Sequence, residues 1–341
     1  MRDDPRPPVP GFSVGLGLTN DCNLACAHCY RDTERIDHLS LDDVRTVCDR
    51  LPIRAVNLGT GENGLHPDFR AILALLDERG IPVSLTSNGY SAAVLDDDDL
   101  RRLAHLEFSL DFPSEAEQDA WRGADNWQLA LDQTDRARDL GVPVTIIAVM
   151  MRTNWDRLPE IAEVAAAHGA AFRVNVYQAV KTDAFSLRYD EFWEGFRRLC
   201  ERAPLAVCTE PIVRAVLGLD RAPGGCGRET VRITPRGEVV PCVYWPKRSL
   251  ALADLERLGP AVVRSPAFLE LGAVPDFCRD CRFVDACGGG CASRRLVAGG
   301  LDRPDEFCPF VHGRPLPVLP LASGASRPFP KSGSACTTVF A

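Results

Sequence analysis

Fourteen cysteines stand among 341 residues, and three of them are spaced for a specific chemistry. Cys22, Cys26 and Cys29 follow one another as C-x3-C-x2-C. Three thiolates at that spacing fit on one loop and can hold three irons of a cubane iron–sulfur cluster. The fourth iron is then left open to a cosubstrate that is to receive an electron. A single zinc is the alternative, with His28 or His38 as fourth ligand. A second set comprises Cys226, Cys242, Cys278, Cys281, Cys287, Cys291 and Cys308, with Gly237 in the first gap. Taken alone, its C-x2-C pair is also compatible with structural zinc sites. Cys48 and Cys200 read as buried apolar residues. Cys208 reads either so or as a further ligand.

Composition narrows the setting. The net charge is −8, and the arginines are interleaved with acids, so no basic face is available for nucleic acid. The longest apolar runs, such as Thr145 to Met151, are far too short to span a membrane. Met1 to Pro10 is polar and proline-rich, without the apolar core of a secretory signal. A cytoplasmic protein is expected, without membrane or nucleic-acid partners. Thiols there stay reduced, so metal or cluster ligation is favoured over a disulfide framework.

The cysteines need a scaffold, and the first two hundred residues describe one. Short apolar runs predict strands at Phe12–Thr19, Ala55–Leu58, Val83–Thr86, Leu106–Leu110, Val144–Val149 and Ala171–Val176. Runs with helical spacing predict helices at Leu41–Arg50, Asp68–Arg79, Asp97–Leu103, Trp127–Leu140, Arg157–His168 and Tyr189–Arg202. Ser40 stands where an N-cap belongs, and Gly80, Gly141 and Gly169 where helices end. Six strands, each followed by a helix, make an α/β fold with right-handed crossovers. Six units fall short of an eight-fold closure, which gives a partial (β/α)6 TIM-like barrel with its active site at the C-terminal strand ends. The expected organisation is a flexible N-terminus at 1–11, the barrel at 12–205 and a connector at 206–225. A small Cys-rich iron–sulfur domain follows at 226–312, with a hairpin at Val231–Thr234 and Glu238–Val243. A Pro/Ser/Gly-rich tail at 313–341 reads as disordered. Alternatives for that tail are a lid over the active site, a source of Cys336 as a ligand, or a fused peptide mimic.

The loop Cys22-Asn-Leu-Ala-Cys26-Ala-His28-Cys29 resembles the CxxxCxΦC signature of the radical S-adenosylmethionine (radical SAM) superfamily, with His28 in the aromatic position. Gly59-Thr60-Gly61-Glu62 resembles the GGE segment, Thr86-Ser87-Asn88-Gly89 the TNG turn, and Ser109-Leu110-Asp111 with Asp119-Ala-Trp-Arg122-Gly123 the SxDG…HDxxRG run. The likeness continues through Asn154 and the Gly169–Val176 strand. Thr60, Asn63, Phe112 and Gln118 depart from the pattern. The later cysteines resemble the seven-cysteine SPASM arrangement behind many such barrels.

The resemblance implies three [4Fe-4S] clusters and S-adenosylmethionine (SAM). Cys22, Cys26 and Cys29 would hold the SAM-binding cluster. Cys226, Cys242 and Cys291 would hold an inner auxiliary cluster, and Cys278, Cys281, Cys287 and Cys308 an outer one. A fourth inner ligand from Cys208 or Cys336 stays open, as does an open site. His28, Gly61, Glu62, Ser109 and Arg122 would line the SAM site, with Glu62 at the methionine amino group. The implied reaction is reductive cleavage of SAM to a 5′-deoxyadenosyl radical that takes hydrogen from a substrate. The substrate expected first is a ribosomally made peptide or protein undergoing maturation, with flavodoxin or ferredoxin as electron donor. A porphyrin-like cofactor precursor, or a non-catalytic metal-binding scaffold, are the alternatives. Asp183, Tyr177 and Gln178 stand near the sixth strand end as positional candidates for the substrate acid or base.

Overall fold

The computed structural model describes residues 11–219, 226–247, 250–323 and 338–341. Six strands follow the predicted alternation: β1 (Phe12–Leu16), β2 (Ile53–Leu58), β3 (Val83–Ser87), β4 (His105–Ser109), β5 (Val144–Met150) and β6 (Ala171–Val176). They lie side by side in chain order and are all parallel. Helices Leu41–Arg50 and Tyr189–Arg202 begin and end where the periodicity places them. Ser40 caps the first by accepting the Asp43 N–H, and the Asp43 carboxylate accepts the Ser40 N–H in return. Helices at Glu115–Arg122 and Tyr90–Ala93 were not anticipated. Both are short and follow strand ends, where apolar periodicity carries little signal.

Val14, Leu16, Val56, Leu58, Leu85 and Phe108 are buried on the strands, and Val44, Val47, Ile72, Leu76 and Ile161 pack from the helices. This apolar layer carries the fold's burial energy. The opposite, concave side of the strands is polar and faces a cavity.

The sheet does not stop at six strands. β7 (Leu205–Val207), β8 (Thr230–Ile233), β9 (Glu238–Val240), β10 (Leu250–Ala251) and β11 (Thr338–Phe340) extend it, in the order β10-β9-β8-β1-β2-β3-β4-β5-β6-β11-β7. β8 runs parallel to β1, so the predicted hairpin prolongs the barrel wall instead of forming a separate layer. β1 and β6 spend their outer edges on β8 and β11, and the barrel stays open between them.

The tail differs from the expectation of disorder. Thr338, Val339 and Phe340 are 3, 0 and 1% exposed, and β11 pairs antiparallel with both β6 and β7. An open barrel leaves the β6 edge with unpaired N–H and C=O groups, and the apolar Thr-Val-Phe segment satisfies them. Further upstream, the Ala322 N–H donates to Cys200 O at 2.7 Å and Leu319 is buried. Cys336 and the flexible N-terminal segment expected before Gly11 lie outside the described residues. Among the described residues no helix is long and apolar enough to cross a membrane.

Candidate active site: a cysteine loop over the open barrel

The chain leaving β1 forms the Cys22–Cys29 loop, and two polar side chains hold it from within. The Arg31 guanidinium, 8% exposed, donates to Asn20 O and Leu24 O, both at 2.6 Å. Asn20 donates to Asp32 O and Arg35 O and accepts the Asp37 N–H. Neither residue was singled out by the motif, because each serves the loop's backbone and not its chemistry. Cys22, Cys26 and Cys29 all edge one cavity of about 520 Å³ at the mouth of the barrel. Burial pushes the Cys22 thiol up to about 11 and raises Cys26 as well. Three half-buried thiols edging one cavity suit an iron–sulfur cluster, whose charge would hold them as thiolates.

Gly59–Glu62 leaves β2 beneath this loop. Gly61 has φ +64°, and a Cβ there would lie against the carbonyl oxygens of Thr19 and Asp21, the latter at 2.5 Å. Both the left-handed backbone and the close approach exclude a side chain. Gly61→Ala is expected to cost about 2–4 kcal/mol, measured as a lowered urea midpoint. The Glu62 carboxylate is 1% exposed and lies against the β3 turn. Its Oε1 accepts from the Ser87 hydroxyl, the Ser91 hydroxyl and the Ser91 N–H. Among the described residues its Oε2 accepts only the Asn88 N–H, at 2.9 Å. Burial raises its pKa despite these donors. A carboxylate oxygen has room for two donors, so Oε2 retains capacity for one more, as an amine contact requires.

Asp111, wholly buried beyond β4, is the second hub. Its Oδ2 accepts Arg122 Nε at 2.9 Å and Nη2 at 2.7 Å, and its Oδ1 accepts the Val149 N–H at 2.9 Å. Burial alone would raise its pKa, but Arg122, His28 and the Val149 N–H together hold it below the usual value. Arg122 therefore serves Asp111 with one edge, and its Nη1 stands 3.9 Å from Cys26 Sγ. The His28 ring stacks on Trp121, whose indole N–H donates to Nδ1 at 3.0 Å. That donor assigns the remaining proton to Nε2, 3.4 Å from Asp111 Oδ2, and burial keeps the ring neutral by lowering its pKa.

Gln118, one of the departures from the motif, has a structural explanation. Its Oε1 accepts the Asp111 and Phe112 N–H groups, and its Nε2 donates to Asn126 Oδ1. Asn126 donates in turn to Asn88 O, and Asn154 donates to Asp111 O. The strand ends of β3, β4 and β5 are thus tied by amides, and Ser109 lines the cavity beside them. Tyr177 and Gln178 also line it, whereas Asp183 is exposed and does not. The Tyr177 hydroxyl donates to Thr182 O at 2.9 Å.

Two further cavities lie behind the first. One, of about 400 Å³, is edged by Cys226, Cys242, Cys287 and Cys291. The other, small and apolar at about 40 Å³, is edged by Cys278, Cys281, Cys287 and Cys308. Burial pushes Cys278 up to about 11 and Cys287 up to about 12, and raises Cys308. Asn175, Gln178 and Tyr244 line both the first and second cavities. Tyr30, next to Cys29, meets Tyr244 edge to face with ring centres 5.0 Å apart. The Cys208 thiol edges none of the three. It packs in the apolar core against the Thr338 hydroxyl and Glu210 O, and burial pushes it up to about 12. Cys200 likewise belongs to the core, and Cys48, partly buried, packs against it.

A buried ion triad holds the second set together. Arg294 is 4% exposed and donates to Asp305 and to Glu210, the latter at 2.8 Å, while Asp305 also accepts the Cys291 N–H at 2.8 Å. The triad locks the Cys291 helix to the Cys308 loop. Arg294→Ala leaves the buried Asp305 carboxylate and the half-buried Glu210 carboxylate without their shared cation and is expected to cost about 3–5 kcal/mol. Urea denaturation reads the loss, and Arg294→Lys restores only part, lacking the forked donors.

Comparisons with known proteins agree with this geometry. Residues 16–165 match the model of the radical SAM superfamily. The chain is 27% identical over 332 residues to mycofactocin maturase MftC of Mycolicibacterium smegmatis, covering 89% of this chain and 83% of the relative. It is 26% identical over 327 residues to PqqA peptide cyclase of Methylorubrum populi, covering 86% and 84%. Among solved structures, Streptococcus suis SuiB bound to precursor peptide SuiA superposes with a TM-score of 0.67 at 15% identity, over 86% of this chain and 75% of that one. Native anSMEcpe with bound AdoMet and Cp18Cys peptide superposes with a TM-score of 0.68 at 15% identity, over 88% and 94%. Residues 16–165 are a radical SAM domain, and the protein is a radical SAM enzyme.

Proposed function

We propose that the chain matures a ribosomally made peptide or protein and carries three [4Fe-4S] clusters. Cys22, Cys26 and Cys29 ligate the SAM-binding cluster. Cys226, Cys242 and Cys291 ligate an inner auxiliary cluster, and Cys278, Cys281, Cys287 and Cys308 an outer one. The latter seven define a SPASM region at 226–312 behind the barrel at 12–205. The observation that carries this reading is the sorting of the cysteines: each set edges its own cavity, and Cys287 edges both of the auxiliary ones. The MftC and PqqA cyclase relatives, and the SuiB complex with SuiA, support a peptide substrate.

The bound cluster and SAM supply reductive cleavage to a 5′-deoxyadenosyl radical, which takes hydrogen from the substrate. The residues around them position and shield. Glu62 offers Oε2 to the methionine amino group. Gly61 brings backbone close to the ligand, and Ser109 offers a hydroxyl. Arg122, fixed by Asp111, keeps a positive charge beside Cys26. His28 presents a neutral ring against Trp121. With Cys208 turned into the core, the inner set contributes three thiolates from the described residues. Flavodoxin or ferredoxin supplies the electron.

Anaerobic reconstitution tests the reading. About twelve irons per chain are expected for three cubanes, with 5′-deoxyadenosine released from SAM under a strong reductant and a mass change on a precursor peptide. About four irons with intact cleavage would remove the auxiliary assignment. Product formed from a porphyrin-like precursor without any peptide would redirect the substrate, and zinc with no cleavage would overturn the whole.

A further inference from the structure

Below the cysteine loop, the concave face of the barrel carries a row of polar side chains that the roles above leave unused. Arg232 on β8 reaches across β1 at Gly15, where a Cβ would overlap its guanidinium. It donates from Nη1 to Asn57 Oδ1 on β2 at 3.4 Å. Asn57 Nδ2 donates to the Thr86 hydroxyl at 3.3 Å, and that hydroxyl donates to Glu107 Oε2 at 2.6 Å. Arg173 Nη1 donates to Glu107 Oε1 at 2.5 Å. All five line the 520 Å³ cavity, on strands β8, β2, β3, β4 and β6.

The charges along this row do not balance. Glu107 and Arg173 neutralise one another as a buried pair. Arg232 forms no ion pair among the described residues. Glu238, the diagonal neighbour across the β8–β9 hairpin, also edges the cavity. A guanidinium carries five N–H donors, and among the described residues a single long bond to a neutral amide is its hydrogen bond. Asn57 orients it, Gly15 gives it room, and the remaining donors are free for a ligand.

Its depth bears on what that ligand is. Arg232 and Asn57 are both in register with Gly15, two residues short of Gly17 and Gly59 at the strand ends. Two residues of strand correspond to roughly 7 Å. Glu62 and Arg122, assigned to SAM, lie beyond their strand ends. The geometry points to a carboxylate-binding subsite on the barrel floor, in which Arg232 takes a chain-terminal or side-chain carboxylate of the substrate. A planar carboxylate accepts two parallel guanidinium donors, which fixes orientation as well as binding. This inference deepens the peptide-substrate reading above and rests on it.

The test is binding to the reconstituted, SAM-loaded full chain, followed by ligand-observed NMR. Two probe pairs are used: N-acetylglycylglycine against its C-terminal amide, and hexanoate against hexanamide. The acid of each pair is expected to bind about tenfold or more tighter than the amide, the scale of a charge-assisted hydrogen bond. Arg232→Gln should bring acid and amide within twofold, and Arg232→Lys should keep part of the preference, which guards against a folding defect. Equal binding of acid and amide by the unaltered protein overturns the proposal, as does a preference that survives Arg232→Gln. A tenfold loss of SAM affinity in Arg232→Gln, with no acid preference lost, also overturns it by assigning the guanidinium to the cosubstrate. Hexanoate preferred over hexanamide, with neither peptide form bound, upholds the subsite and removes the peptide reading alone.

Discussion

Alanine at Cys22, Cys26 and Cys29 together is expected to abolish 5′-deoxyadenosine formation, down to the level of reductant and SAM without protein. The three thiols edge the barrel-mouth cavity, and burial disfavours the charged form of Cys22 and Cys26. Without them nothing on the loop can bind soft iron, since the neighbouring His28 ring is engaged by Trp121 and Asp111. The loss should be chemical and not structural. Arg31 and Asn20 hold the loop through backbone groups that the substitutions leave in place, so the circular dichroism spectrum should be retained. Iron should fall by about four per chain, with the auxiliary clusters remaining. Full iron content with cleavage intact would sink the assignment.

Removal of residues 338–341 is expected to destabilise the protein severely, by more than the roughly 3–5 kcal/mol of Phe340→Ala alone. Phe340 and Val339 are core residues, and β11 fills the gap between β6 and β7. Its loss exposes the β6 edge and detaches β7, leaving a sheet edge open to aggregation. The expected result is low soluble yield and a lowered thermal midpoint. Phe340→Leu, which keeps the strand and most of the volume, should fold and retain cleavage of SAM. A truncated chain with unchanged stability would show that β11 is dispensable to the fold.

The strands and long helices were legible because their apolar residues repeat at fixed intervals, as in Ile72, Leu75 and Leu76 on one helix face. The cysteine sets were legible because ligands on one loop must be close in sequence. Side chains that work by holding others were harder to find. Gln118 looked like a lost histidine, yet its amide satisfies two strand-end N–H groups at once. Arg122, for which the motif implies a place at SAM, also spends two donors on Asp111. Each of these partnerships depends on what folding brings alongside, which no local pattern records.

The sequence by itself determined the order of βα units, the cysteine loop after the first strand, and the glycine at position 61, because propensity, periodicity and ligand spacing act over a few residues. Only the tertiary structure decided that the hairpin at 230–240 and the strand at 338–340 belong to the same sheet as the barrel. Only it could turn Cys208 away from the three cysteine-lined cavities, and lay Arg232 over Gly15 toward Asn57. Strand pairing and side-chain approach across more than two hundred residues of chain, as between Gly15 and Arg232, are fixed by which edges and faces remain unsatisfied once the local elements have formed.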